Sequence, residues 1–148
     1  MTPPTATPQE RLIAAVRDRA FDALERDRGE LQPIGAWMDG SGRIGIVSVY
    51  AGRDYPEPDL HLVEVRSALK LHARREAKII GAATAHRDRI RVPGLDDPFE
   101  CVCVQYEARG EEPLRVYYPY RIKKKLSGRS EVARMESISV PGSDPVFP

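Results

Sequence analysis

The densest run of chemically capable side chains lies between Arg115 and Arg129. Arg115, Arg121, Lys123, Lys124, Lys125 and Arg129 follow one another there with no acidic residue between them. In an alternating strand, Tyr117 falls on the same face as Arg115, Arg121 and Lys123. Rings that stack on bases beside cations that neutralise phosphates are the chemistry of single-stranded nucleic-acid binding. The basic helix end His72-Ala-Arg-Arg-Glu-Ala-Lys78 would extend such a surface. Two facts weigh the other way. Lysines on an edge strand also guard against edge-to-edge aggregation. The chain as a whole carries a formal charge of only +1, whereas a dedicated nucleic-acid binder is usually more basic. Nucleic acid is therefore the alternative expectation.

Three histidines and two cysteines raise the question of a metal. His61 and His72 would share one helix face, but eleven residues of helix separate them by about 16 Å, too far for one ion. Cys101-Val-Cys103 lacks the Cys-x-x-Cys spacing of a zinc ribbon, and there is no second pair. His86 approaches the cysteines only if the strands carrying them pair. Buried cysteines acting as small apolar residues explain the pattern more simply, so no metal site and no cofactor is expected.

Motifs for hydrolases, zinc peptidases, phosphate loops and dithiol redox chemistry are missing. Asp39-Gly-Ser-Gly42 is glycine-rich, yet no Lys-Ser/Thr follows it and no helix starts there, so it reads as a turn. The acids Asp54, Glu57 and Asp59, and likewise Asp96, Asp97 and Glu100, lie in loop-like sequence where solvated carboxylates are common. No catalytic residue is assigned.

These side chains must be positioned by a fold whose centre is Ile34 to Tyr50, two apolar runs around that turn. Glycine at Gly40 suits a type II′ turn, which places Met38 opposite Arg43, Trp37 opposite Ile44 and Ile34 opposite Val47. Both faces of the hairpin are then apolar, which calls for a cover on each side. The first cover is a helix beginning at Thr7-Pro8-Gln9-Glu10, a capping-box spacing with proline at the first helical position. Leu12, Ile13, Val16, Ala20, Phe21 and Leu24 form its stripe, and Gly29 is its natural stop. The second cover is a helix from about Leu60 to Glu76, with Leu62, Val65, Leu69 and Ala73 inward. Leu60, Val63 and Leu71 fall away from that stripe and are candidates for an interface with a protein partner or a second copy of the chain.

Further strands are expected at Lys78 to His86, extending toward Val92, at Phe99 to Ala108 and at Leu114 to Lys123. The small residues Gly81, Ala82, Ala83 and Ala85 allow a helix to pack closely. Pro119 points to an edge or a bulge. Ser130 to Val140 is a sixth strand or a strap.

The order α-β-β-α-β-β-β over Pro8 to Lys125 resembles the roadblock and profilin-like architectures, in which an antiparallel sheet lies between helices. The resemblance is one of topology and brings no functional residues with it. The expectation is one α+β domain spanning residues 8–140, with a largely antiparallel five- or six-stranded sheet and helices on both faces. A proline-rich arm (1–7) and a tail (141–148) flank it. At 148 residues, with 41% hydrophobic and 30% charged, such a chain buries a core without disulfides. No secretory signal and no apolar run near the roughly 20 residues of a bilayer helix is seen, so a cytoplasmic protein is expected. The leading functional expectation is a non-enzymatic protein–protein interaction module, acting on a protein partner or as a homodimer; single-stranded nucleic-acid binding is the first alternative, and an enzyme whose site carries no recognisable motif is the second.

Overall fold

The structure is a computed structural model describing residues 6–26, 29–47, 58–76, 78–91, 97–124 and 130–142. It comprises α1 (Pro8–Arg26), β1 (Ile34–Asp39), β2 (Ile44–Val47), α2 (Pro58–Arg75), β3 (Ile79–Ile90), β4 (Phe99–Ala108), β5 (Leu114–Lys124), β6 (Ser130–Arg134) and β7 (Ile138–Pro141). All strand pairs are antiparallel, in the order β2-β1-β3-β4-β5-β6, with β7 also on β5. The expected α+β architecture is present, and its sheet grows to seven strands because residues 130–141 form two short strands.

α1 starts as its sequence dictates. The Glu10 amide donates to Thr7 Oγ1 (3.2 Å) and the Thr7 amide to Glu10 Oε2 (3.3 Å), a reciprocal capping box. At the other end Gly29, at φ 90°, sends its amide to the Leu24 carbonyl at 2.7 Å. The buried stripe Leu12, Ile13, Val16, Ala20, Phe21 and Leu24 packs on Ala36 and Met38 of β1, Ala83 and Ala85 of β3, and Val102, Val104 and Tyr106 of β4. Phe21 sits edge-on to Tyr118 and Tyr120 of β5, with centroids 6.5 and 5.9 Å away. This is the larger of the two cores.

The hairpin corrects the expected register by one residue: Met38 faces Ile44, Trp37 faces Gly45 and Gly35 faces Val47. The cause is local. The loop has three residues, closed by the Asp39 amide on the Arg43 carbonyl (3.0 Å), and Gly42 rather than Gly40 takes the positive φ, at 89°. Asp39 Oδ1 enforces this turn by accepting from the Ser41 amide, the Ser41 hydroxyl and the Arg43 amide. The Ser41 hydroxyl, with those amides, holds the Asp39 carboxyl below its ordinary pKa. The shift turns Ile44 toward α1 and Val47 toward α2, so both faces of the hairpin remain apolar.

α2 covers the opposite face, packing on β1, β2 and β3. Val65, Leu69 and Ala73 meet Ile79, Ala82, Trp37 and Val47 in a second, smaller cluster. Gly35 lets α2 come close, since a Cβ there would lie 2.6 Å from Val65. Arg109, just after β4, donates to the carbonyls of Ala73 and Ile79 and ties the end of α2 to the sheet.

Pro119 is buried within β5, where its missing amide costs nothing. The Pro119 carbonyl accepts from the Met135 amide (2.9 Å), so residue 119 faces the outer side of β5. There β6 pairs with Tyr120 to Lys124 and β7 with Leu114 to Tyr117. Proline occupies the junction between two partners, where its carbonyl still accepts and only the amide donor is missing.

Candidate functional site

On the face shared with α2, alternate residues of β3 and β4 are polar once the strands pass beyond the helix. The register sets Thr84 opposite Gln105, His86 opposite Cys103 and Asp88 opposite Cys101. On β5, Arg115 lies opposite Gln105, Tyr117 opposite Cys103 and Pro119 opposite Cys101. Thr84, Gln105, Glu107 and both cysteines are buried.

Two groupings stand out on this face. The first is a chain of polar contacts. Arg66 of α2 lies 3.7 Å from Glu107 Oε2, Gln105 Nε2 donates to that carboxylate (3.4 Å), and Arg115 donates to Gln105 Oε1 (2.9 Å). Buried polar groups persist where they are satisfied in this way. The second is His86, Asp88 and Cys103, whose ligand atoms lie within 4.8 Å of one another. Cys101 stands apart from it, its thiol donating to the Asp88 carbonyl at 3.4 Å.

Both thiols are pushed up to about 12, chiefly by burial. For Cys101 the Asp88 charge adds to the effect, while for Cys103 the neighbouring Arg115 opposes it. A thiol held protonated in this way is a poor nucleophile. The pair carries no disulfide. Without a cation to displace its proton, each thiol packs as a small apolar group rather than serving covalent catalysis.

A separate cleft of about 590 Å³ opens where β4 and β5 part, lined by Asp97, Pro98, Phe99, Glu100, Tyr120, Arg121 and Ile122. The β4–β5 ladder ends at Cys101 opposite Pro119. Beyond it, among the described residues, Phe99 and Glu100 pair only with β3, while Tyr120 to Lys124 pair with β6. Arg121 lies over the Phe99 ring, 5.1 Å from its centroid. Glu100 is held by Arg89 (2.7 Å) and lies 3.8 Å from Arg87.

Arg115, Tyr117, Arg121 and Lys123 follow one another at alternate positions of β5, each with different neighbours. Arg115 is half-buried in the polar chain, Tyr117 lies between Cys103 and Ile138, Arg121 borders the cleft, and Lys123 stands opposite Glu131. Lys124 ends β5 opposite Ser130, and Lys125 lies outside the described residues. On α2, Val63 and Leu71 are 60% and 48% exposed, as their positions off the stripe require. Leu60 and His61 lie in the first turn of the helix, and their side chains are outside the described residues. His72 lies against Trp37, with ring centroids 6.3 Å apart. Asp97 and Glu100 meet in the cleft, and Asp96 lies outside the described residues.

Sequence reasoning passed over Arg66, Asp88, Gln105 and Glu107. The one signal was the alternation of polar residues through Thr84, His86 and Asp88 and through Cys101, Cys103, Gln105 and Glu107. Compared with protein-family models, curated proteins and solved structures, the chain matches none.

Proposed function

We propose that the protein is a non-enzymatic interaction module that takes an extended segment of a partner protein into the cleft between residues 97–100 and 120–122. The observation that carries this reading is the early end of the β4–β5 ladder. Two strands continue past their last shared pair, each paired on one side only among the described residues, around a cleft of about 590 Å³. Strand edges of this kind supply main-chain hydrogen bonds to an added chain, and side-chain pockets supply selectivity. Phe99, Pro98 and Ile122 offer apolar contact. Arg121 offers a cation to an acidic side chain, while the nearby carboxylate of Glu100 is already engaged by Arg89.

The same distribution favours a protein over a nucleic acid. Arg115 is committed to Gln105, and Lys123 stands across the ladder from Glu131. Among the described residues no helix is long and apolar enough to cross a membrane, and two unbonded cysteines accord with a cytoplasmic setting.

Selection of a displayed peptide library on the full-length protein tests the reading. Enriched peptides should combine apolar and acidic residues, and Arg121→Glu and Phe99→Ala should weaken them at least about tenfold, the loss of one good anchor. Failure to enrich any sequence, or enrichment indifferent to both substitutions, overturns it. Salt-sensitive binding of single-stranded oligonucleotides that Arg121→Glu abolishes would transfer the site to nucleic acid.

A further inference from the structure

We propose that His86, Asp88 and Cys103 form a divalent-cation site of the zinc class, with three protein ligands and a fourth position open to water. It is separate from the cleft and stands whether or not a peptide binds there.

The site follows from register. His86 and Cys103 are direct cross-strand partners on β3 and β4, and Asp88 is two residues along β3 on the same face. Side chains at such positions are neighbours by construction. Here they lean together until one imidazole nitrogen, one carboxylate oxygen and one thiol sulfur lie within 4.8 Å of one another. Ligand atoms around tetrahedral zinc are about 3.3 to 3.6 Å apart, so the group closes by at most about 1.5 Å on binding, within the reach of side-chain rotation.

The donor set narrows the ion. Calcium and magnesium take oxygen ligands, whereas a mixed nitrogen, oxygen and sulfur set suits zinc. Rigidity comes from the two paired strands, and access from the outer members, since Asp88 is exposed and His86 half-buried while Cys103 is fully buried. An ion would therefore enter past Asp88 and rest on the buried sulfur. Cys101 serves as the internal control: it shares the face but sends its thiol to the Asp88 carbonyl, outside the three-atom cluster.

The experiment titrates full-length, chelator-stripped and reduced protein with cobalt(II), which reports its ligands optically, followed by zinc. A sulfur-to-cobalt charge-transfer band should grow to saturation at one equivalent, with visible bands of low-coordinate cobalt, and zinc should displace both. Cys101→Ser should keep the band and Cys103→Ser should lose it. Asp88→Asn, at an exposed position where folding is not at stake, should weaken binding about tenfold or more. If Cys103→Ser fails to fold by circular dichroism, Asp88→Asn and His86→Asn decide the matter. No saturable band in the wild type, a band lost in Cys101→Ser but kept in Cys103→Ser, or an Asp88→Asn variant that binds like the wild type overturns the site.

Discussion

Replacing Arg66 with alanine removes the cation 3.7 Å from Glu107 on the buried polar face, and the cost can be worked from the geometry. The two groups are 3.7 Å apart, with side chains 15% and 3% exposed. At an effective dielectric near 20, charges at that separation attract by about 4 kcal/mol. The Gln105 amide still donates to the abandoned carboxylate, which leaves an expected loss of about 2–3 kcal/mol for Arg66→Ala. The diagnostic is rescue. Glu107→Gln keeps shape and hydrogen bonding while removing the charge, so Arg66→Ala/Glu107→Gln should be more stable than Arg66→Ala alone. Urea unfolding at neutral pH, followed by circular dichroism, measures all four members of the cycle. If Arg66→Ala lies within about 0.5 kcal/mol of the wild type, the range of an ordinary surface substitution, the buried chain of contacts is not there. The same holds if Glu107→Gln gives no rescue.

Gly45→Ala should cost about 1–3 kcal/mol, the range for overpacking, because a Cβ at Gly45 would lie 2.2 Å from the Trp37 ring; a melting curve on that variant checks it. Asp39→Ala should destabilise the hairpin turn, with hydrogen exchange rising at the amides of Ser41 and Arg43, which donate to its carboxylate. The Asp39 pKa is lowered from 3.8, so its contribution is present above that pH and is lost as pH falls through the depressed value. Asp39→Asn should therefore flatten that part of the acid limb of a stability-versus-pH curve. At the other extreme Cys101, Cys103 and Tyr120 are raised by burial to about 12 from ordinary values of 9.0 for the thiols and 10.0 for the phenol. The unfolded chain then loses these protons first, so metal-free protein should lose stability steadily from pH 9 toward 12, and Cys101→Ala/Cys103→Ala should shallow that slope.

Local signals carried much of the fold. The start of α1 is written in Thr7-Pro8-Gln9-Glu10, and the alternation along β5 places Tyr118 and Tyr120 on the α1 face. The hairpin register was harder because Gly40 and Gly42 can each supply a positive φ. The choice between them is made by the Asp39 side chain, whose acceptance from Ser41 and Arg43 fixes a three-residue loop. Pro119 reads as an edge signal, and its actual position between β6 and β7 depends on a chain return that local sequence does not encode.

The polar face was the least legible part. Gln105 and Glu107 alternate with Val104 and Tyr106 in the manner of an ordinary solvent-facing half of a strand, and their burial arises from neighbours far away in sequence. His86 and Cys103 could be related only once β3 and β4 were known to pair. Asp88 as the third member depends on the precise register of that pair. The cleft is legible only as an absence of pairing, where β4 and β5 stop sharing a ladder although their sequences run on as strands.

The most direct measurement of the central claim is hydrogen exchange of the full-length protein with and without a library-selected peptide. Binding in the cleft should slow exchange at Glu100, Tyr120 and Ile122, whose amides face the gap, and leave the outer face of α2 unchanged. Protection centred on Val63 and Leu71 with none at the parted strands would contradict the account and make the helix face the interface.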